Sequence, residues 1–498
     1  MDEHSQSVRI LKLREKSRDQ YWEERDPIND VRLLWRAQIF RHLVHLLPGQ
    51  TILELGCGKG FFTRQLVRVS RGENPITAVS FSPDESPEQP FFDQVEYLSI
   101  DSIPGPLSDR RFDLIVSIDH LDKRNCGWFL QRVYEFLNPG GQVVFFESNP
   151  WNPVLNIRKA VFRLLGKDDN RVLLSRSKIY ELISEIGYLR IFSIYHDFLY
   201  SPLTPWLVWL LKNLSVVLEN TPFFRTLAGS ILIHAQRPPR KAIKPNVSLC
   251  EHQQLHHKVS VVVPCYNEEM NVTPLVSQLM SLYGQYLYEI ILVEDNSQDG
   301  TRAVIRELTT KHPIIKSVIR SPPGGVGRAL KDGYQAATGE YILSMDCDFQ
   351  HLLPELRDLF DAAAEGYDMV VGSRFSQSSV LLNYPFTKII ANRGFHLLAR
   401  LALGYRFRDL TNNLRLMRRH VMEKLELTQP SFAINAETGF QPLLMGHSFK
   451  EVPISWINRT PDMGASSFRL IKVGGGYWQV LWRLWFKYRF NKNRPLKS

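Results

Sequence analysis

Short apolar runs alternate with longer stretches of helical spacing along this chain, and they do so in two separate series. The first series is "TILELG", "ITAVSF", "VEYLSI", "FDLIVSI" and "QVVFFE"; the second is "KVSVVVP", "EIILVED", "IKSVIR", "EYILSMD" and "YDMVVGS". Runs this apolar bury both faces, and consecutive parallel strands need a helical crossover between them. The expected fold class is therefore α/β, with two mainly parallel sheets. Between the series lies "RPPRKAIKPNVSLCEHQQLHHK", Arg237–Lys258, which is basic, proline-bearing and without apolar periodicity. It reads as a linker, and its His252, His256 and His257 read as solvated, because no acidic or cysteine partner stands at ligand spacing. The expected layout is a first domain over 1–236, a linker over 237–257, a second domain over 258–470 and a basic-aromatic helix over 471–498. A chain of 498 residues is long enough for two such cores.

The five cysteines are scattered and form no CxxC pair, which argues against a disulfide framework and a structural zinc site. A reducing, cytoplasmic setting is expected. The N-terminal segment is heavily charged and lacks the apolar core of a secretory signal. The longest apolar candidate, "LTPWLVWLLKNLSVVL" from Leu203, is interrupted by Pro205 and by Lys212 and Asn213, so no membrane span is expected. A net charge of +10 favours anionic partners. Nucleic acid is not among those expected, since no basic-aromatic pattern accompanies the glycine-rich turn described next.

In "TILELGCGKGFFTRQL" a strand ends at Glu54 and is followed by Gly56, Gly58, Gly60 and a helical pattern. Glycines at alternate positions permit a tight turn and let a ligand lie against bare backbone at a helix start. "EYLSIDSIPG" then puts Asp101 after a strand, and "VYEFLNPGGQVVFFE" closes the series. Over roughly residues 35–150 this order resembles the class I S-adenosylmethionine-dependent methyltransferases. The resemblance implies a Rossmann-like domain in which Glu54, Gly56, Gly58 and Gly60 line S-adenosylmethionine and Asp101 lies near its adenine. These enzymes often carry an acid at the end of the second strand for the ribose hydroxyls, and here Ser80 stands there. Asp119 and His120, after the fourth strand, could act on a methyl acceptor or cap a helix. The apolar stretch Trp151–Gln236 reads as core or lid.

The second series carries more chemistry. "KVSVVVPCYNEEMNV" stops a strand at Pro264 and places Tyr266 and Glu268 in the following turn, and "EIILVEDNSQDGT" ends in Glu294 and Asp295. A ring and carboxylates at adjacent strand ends can stack on a base and accept hydrogen bonds from it or its ribose. "EYILSMDCDFQH" adds Asp346, Asp348 and Gln350 beyond a later strand. Carboxylates two apart can both serve one site once a strand has become a turn, and hard oxygen donors suit a divalent cation.

"YDMVVGSRF", "KIIANRGFHLLARLALG", "RDLTNNLRLMRR" and "FKEVPISWINRTPDMGASSF" follow in order. Together, over roughly 258–470, these segments resemble the inverting, A-type, family 2 glycosyltransferases of the dolichol-phosphate mannose synthase branch, whose acceptors are polyprenyl phosphates. The resemblance implies Mg²⁺ or Mn²⁺ on Asp346, Asp348 and Gln350, and a GDP- or UDP-sugar donor on Pro264, Tyr266, Glu268, Asp295, Asp346, Gln350 and Arg459. It also implies arginines for phosphate at Arg374, Arg393 and Arg459. Asp348, Asp346, Arg374 and Arg393 are the expected catalytic set. Glu294 replaces the first aspartate of the branch's usual Asp-Asp pair, and "TNNLR" replaces a small, glycine-bearing step near Asp409.

On a helix, the C-terminal "YWQVLWRLWFKYRF" would set Trp478, Leu481, Trp482 and Trp485 on one face, with Arg483 and Lys487 pointing away. That pattern suits a peripheral membrane surface, on the cytoplasmic face, or the closing helix of the domain. The whole reads as a bifunctional methyltransferase and glycosyltransferase. The alternative is a glycosyltransferase acting on a saccharide hydroxyl, with the first domain a non-catalytic docking module.

Overall fold

The computed structural model describes residues 3–23, 28–82, 92–99, 105–164, 171–199, 211, 214–239, 247–348, 353–376, 378–382, 384–457 and 470–489. The chain divides into two compact units, Met1–Pro245 and Asn246–Ser498.

In the first unit, β1 (Ile52–Leu55), β2 (Ile76–Ser80), β3 (Val95–Ser99), β4 (Phe112–Ile118) and β5 (Leu137–Ser148) are the strands expected from the apolar runs. Two more, β6 (Leu189–His196) and β7 (Ser230–Gln236), complete a seven-stranded sheet in the order β3-β2-β1-β4-β5-β7-β6. Neighbours from β3 to β5 run parallel, whereas β7 is antiparallel to both β5 and β6. The segment read as core or lid thus supplies two strands. No turn signal joins them in sequence, so their pairing is a tertiary event. The order reverses between β1 and β4, which opens a crevice beyond the carboxyl ends of those strands. Two helices precede the sheet: α1 (Glu3–Glu23) and α2 (Ile28–Leu43).

The second unit repeats the logic with β8 (Val259–Cys265), β9 (Leu287–Glu294), β10 (Ile315–Ile319), β11 (Tyr341–Ser344), β12 (Met369–Ser373), β13 (Leu381–Leu382), β14 (Arg415–Arg418), β15 (Phe449–Pro453) and β16 (Trp456–Ile457). Its main sheet has the order β10-β9-β8-β11-β14-β12-β15, with β14 antiparallel to both neighbours, and β13 pairs β16 apart from it. The reversal falls between β8 and β11. Helix Val326–Ala336 lies so close to this sheet that a Cβ on Gly333 would meet Val262 at 2.5 Å and Val293 at 2.9 Å. Only glycine fits that approach.

Strand β14 escaped the apolar pattern because arginines bracket it. Arg415 is 2% exposed and donates to the carbonyls of Leu410 (2.8 Å), Asn412 (3.1 Å) and Asn435 (3.3 Å). Burial lowers its guanidinium to about 10. This arginine satisfies the carbonyls of a turn and of the following helix.

Two readings of the sequence need correction. Residues 249–257 are not free linker: Leu249 and Leu255 are buried in the second unit, the Leu249 amide donates to Leu282, and His252 pairs with Asp361 at 2.8 Å. Two isolated leucines give no period, so nothing in the pattern marked them. The C-terminal helix Leu470–Arg489 turns a different face inward from the one expected. Val480, Leu481 and Leu484 join the core, while Trp478, Trp482 and Phe486 are exposed. Arg483 and Lys487 do not point away into solvent but pair with Glu437 and Glu426. Those two ion pairs, with Phe395 packed edge-on against Tyr477 and Trp478, hold the helix to its unit.

Candidate active sites

The glycine-rich turn of the first unit sits at the carboxyl end of β1. Gly56, Gly58 and Gly60 all have positive φ, at 78°, 50° and 77°, a region open to glycine at little cost. The amides of Gly56 and Cys57 both donate to the Val79 carbonyl at 2.8 Å, which ties the turn to β2. Glu54 is buried and accepts from the Thr63 hydroxyl at 2.7 Å. Burial raises its carboxyl to about 7, against the pull of Thr63 and Arg18.

The cradle formed by these groups is filled by the protein's own side chains. Asp19 of α1 lies directly on Gly58, where a Cβ would fall 1.8 Å from its Oδ2, and it accepts from the Lys59 amide at 2.7 Å. Glu15, one turn earlier, accepts from the Ser80 hydroxyl at 2.6 Å, the Phe81 amide at 2.9 Å and the Ser82 amide at 3.1 Å. Arg18 pairs with Asp19 and donates to the Ile118 carbonyl at 3.2 Å. Glu15 and Asp19 are both fully buried. As arranged, the donors that would receive S-adenosylmethionine at the ends of β1 and β2 are taken, and the cofactor does not fit beside α1.

Asp119, half-buried, and His120, fully buried, do not cap a helix. Asp119, at φ 66°, pairs with Arg171 and accepts from the Ser148 amide (2.9 Å) and hydroxyl (2.7 Å). Burial opposes its charge, but Arg171 outweighs that and holds its carboxyl well below the ordinary range. His120 is fully buried, with Nδ1 3.0 Å from the Ser117 hydroxyl and its ring against Gly56. Its Nε2 has no hydrogen-bond partner among the described residues. Glu147 receives the amides of His120 and Leu121, and burial, with Asp119 nearby, raises its carboxyl to about 8. Sequence reasoning missed Glu15, Asp19 and Glu147. Glu15 and Asp19 stand in no motif, since α1 precedes the first strand, and Glu147 closes the run "QVVFFE", where it read only as the end of a strand. Asp101 lies outside the described residues.

In the second unit the expected groups gather at the carboxyl ends of β8, β9 and β11. Tyr266 is 49% exposed beside the half-buried Pro264. Glu268 receives Asn271 and begins the helix Glu269–Tyr283. Asp295 is buried, paired with Arg320, and accepts from the Gly325 amide at 2.6 Å. Glu294 turns the other way: Arg302 donates to its Oε2 at 2.7 and 2.9 Å and the Ser297 amide to its Oε1. The extra methylene that distinguishes it from aspartate takes it to the following helix.

Asp346 and Asp348 follow β11, with Asp348 8% exposed. Asn413 donates to Asp346 at 2.7 Å and accepts from Ser344, which in turn accepts from Tyr334 at 3.0 Å. The "TNNLR" departure thus holds the first aspartate of the pair. Cys347, between them, is buried, and a hydrogen bond with Cys265 and burial raise its thiol. All five cysteines are free.

Arg374 is committed to Asp409, donating at 2.7 and 3.0 Å, and lies 5.5 Å from the Trp456 ring centre. Burial raises the Asp409 carboxyl, but Arg374 outweighs it and holds the group well below its ordinary value. Arg393 donates to the Arg408 carbonyl at 2.8 Å and stacks over Phe375. Lys388, absent from the sequence reading, belongs to this group: burial and Arg374 lower its pKa, and Asp348 opposes them. It carried no signal because a lone lysine on an amphipathic helix reads as surface. Gln350 and Arg459 lie outside the described residues.

Residues 260–426 match the family model described as glycosyl transferase family 2, and residues 52–141 match that described as methyltransferase domain. The chain is 32% identical over 183 residues to the dolichol-phosphate mannosyltransferase of Pyrococcus furiosus, covering 36% of this chain and 51% of that protein. It is 28% identical over 234 residues to the polyprenol monophosphomannose synthase of Mycolicibacterium smegmatis, covering 45% of this chain and 88% of that protein. The chain therefore spans about half the length of the Pyrococcus relative. Among solved structures, glucosyl-3-phosphoglycerate synthase from Mycobacterium tuberculosis, in complex with Mn²⁺ and UDP-glucose, shares 19% identity over 47% of this chain and 80% of that chain, with a TM-score of 0.36. A methyltransferase domain thus precedes a family 2 glycosyltransferase domain that resembles dolichol-phosphate mannosyltransferases.

Proposed function

We propose that the second unit transfers a sugar from a GDP- or UDP-sugar to a polyprenyl phosphate, and that the first is a methyltransferase serving an acceptor of the same glycan or lipid class. The observation that carries the sugar-transfer reading is the juxtaposition at the β8/β11 switch point. Asp346 and Asp348 stand beyond β11, and Asp348 lies within electrostatic reach of Lys388. The carboxylates Asp346 and Asp348 are hard oxygen donors of the kind that suit Mg²⁺ or Mn²⁺, with Gln350 the further ligand its motif position implies, and the ion when bound would neutralise the diphosphate of the leaving nucleotide. Asn413 orients Asp346 for that set. Tyr266, half exposed next to the buried Asp295, offers a ring to the base.

A phosphate monoester is already ionised near neutral pH, with a second pKa of about 6. Such an acceptor attacks the anomeric carbon without a side-chain base, and inversion in one displacement then needs positioning and charge stabilisation. Lys388 and Arg393 are the cations we assign to phosphate. Arg374 acts through Asp409, stiffening the wall they stand on.

Among the described residues no helix is long and apolar enough to cross a membrane. We infer a peripheral contact instead, through the exposed row Trp478, Trp482 and Phe486, with the exposed Ile390, Leu397 and Leu401 as further apolar side chains of the same unit.

The test is transfer of labelled sugar by the full-length protein from a panel of GDP- and UDP-sugars to polyprenyl phosphate with Mn²⁺. A lipid-linked product that disappears in Asp348→Asn supports the reading, and a free glycoside instead of a lipid-linked product overturns it. A second reading of the first unit, as a docking module without cofactor, is favoured by the filled cradle. Calorimetry with S-adenosylmethionine separates the two.

A further inference from the structure

The most distinctive feature of the first unit is that one helix supplies acceptors to two separated parts of the crevice. Glu15 and Asp19 are four residues apart and so lie on one face of α1. The first takes the hydroxyl and two amides at the end of β2, and the second takes the amide that follows Gly58. Arg18 covers the end of β4 by reaching the Ile118 carbonyl. The ends of β2, β1 and β4 are thus capped by Glu15, Asp19 and Arg18 of α1.

The chemistry of these contacts is that of a ligand. Backbone amides at a glycine-rich turn receive anions, and Asp19 presents a carboxylate there, as the amino-acid end of S-adenosylmethionine would. The bare backbone at Gly58 serves close approach by a side chain instead of a cofactor. His120 faces Gly56 with a buried Nε2 that has no hydrogen-bond partner among the described residues. A polar atom so placed lacks the partner that buried groups ordinarily have, and the closed arrangement gives no reason for it. Away from the cradle, α1 is held by Leu11 in the core, by Arg14 on Asp122 and by Trp22 edge-on to Phe61.

We propose that α1 is a self-occluding strap whose Glu15 and Asp19 occupy the cofactor's hydrogen-bond positions, so that S-adenosylmethionine binds only as the helix lifts. This rests on the reading of the first unit as a cofactor-binding methyltransferase. Binding is then a competition, and the apparent affinity is reduced by the fraction of molecules whose strap is open. A partner or acceptor that engages α1 only in its lifted position would raise that fraction.

The experiment uses the full chain and two variants: Glu15→Gln/Asp19→Asn, which is isosteric, and Arg14→Gln, which loosens α1 without touching the cradle. Calorimetry measures S-adenosylmethionine affinity, and hydrogen–deuterium exchange follows residues 3–23. The expected result is faster exchange of α1 in both variants, affinity raised at least tenfold, and further exchange of α1 when cofactor is added to the parent protein. If cofactor instead protects α1, or the variants bind it equally or more weakly, the helix is a wall of the site. The strap is then refuted and the cofactor reading stands. Unchanged exchange in both variants also refutes it, because the named contacts would not be what holds the helix. If α1 opens and millimolar cofactor still gives no heat, the cofactor reading itself fails and the strap falls with it.

Discussion

Replacing Asp409 by asparagine tests whether Arg374 is a binding group or a buried strut. The Asp409 side chain is fully buried and that of Arg374 is 11% exposed. Their two charge-assisted bonds, at 2.7 and 3.0 Å, leave the guanidinium little other company than the Tyr384 hydroxyl at 3.4 Å and the Trp456 ring. Asparagine keeps the shape and one acceptor but removes the charge. Stripping one partner from a buried ion pair costs roughly 3–5 kcal/mol. The retained acceptor and the aromatic ring place the expected loss at the lower end, about 3 kcal/mol, a large share of the roughly 5–15 kcal/mol that holds an ordinary domain. Because two units unfold in one chain, a single melting curve is not a two-state measurement. Amide exchange of β12 and β14 peptides across a urea series isolates the second unit. A cycle with Arg374→Met and the double variant gives the pair's coupling, expected near the upper end of the roughly 0.5–3 kcal/mol seen for contacting residues. Coupling below about 0.5 kcal/mol in folded proteins would refute the strut and return Arg374 to the phosphate-binding role its motif implied.

Asn413→Ala breaks the chain from Tyr334 through Ser344 to Asp346 and takes from the buried Ser344 hydroxyl its Asn413 acceptor; it is expected to cost roughly 1–3 kcal/mol and to weaken Mn²⁺ binding measured by electron paramagnetic resonance. Unchanged metal affinity would remove Asn413 from the site. His396 is buried, and that burial lowers its pKa to about 4 although Asp409 opposes it. Between pH 6.5 and about 4 the unfolded chain holds a proton there that the folded chain does not, so stability falls as pH drops through this window, by up to roughly 3 kcal/mol. An ordinary imidazole titration by NMR would contradict this. Trp482→Ala together with Phe486→Ala should lower partition onto anionic vesicles about tenfold, roughly 1.4 kcal/mol, while transfer to a water-soluble short-chain acceptor persists; equal partition would exclude that face.

The ten strands read from apolar runs all form: eight are largely buried and announce themselves by continuous apolar residues, and the edge strands β3 and β10, half exposed, still carry short apolar runs. The glycine turn and the acidic pair were legible for a related reason, since each is a local backbone demand written in consecutive residues. What the pattern could not contain is the partnership between distant segments. β6, β7 and β14 exist because neighbouring strands offer them an edge. Arg374, at a phosphate-binding motif position, meets Asp409, which is 35 residues away. Asn413, which looked like a departure from the family pattern, became the residue that orients Asp346. Most of all, the residues of α1 read only as a heavily charged N-terminal segment without the apolar core of a secretory signal. Only folding brought Glu15 and Asp19 onto the glycine turn, where burial and the unpaired amides of two strand ends gave their charges a place. Local pattern is enough for two α/β sheets and for the kinds of chemistry at their edges. Which charges pair with each other and which remain to meet a ligand is set by folding, because pairing depends on distance through space and not along the chain.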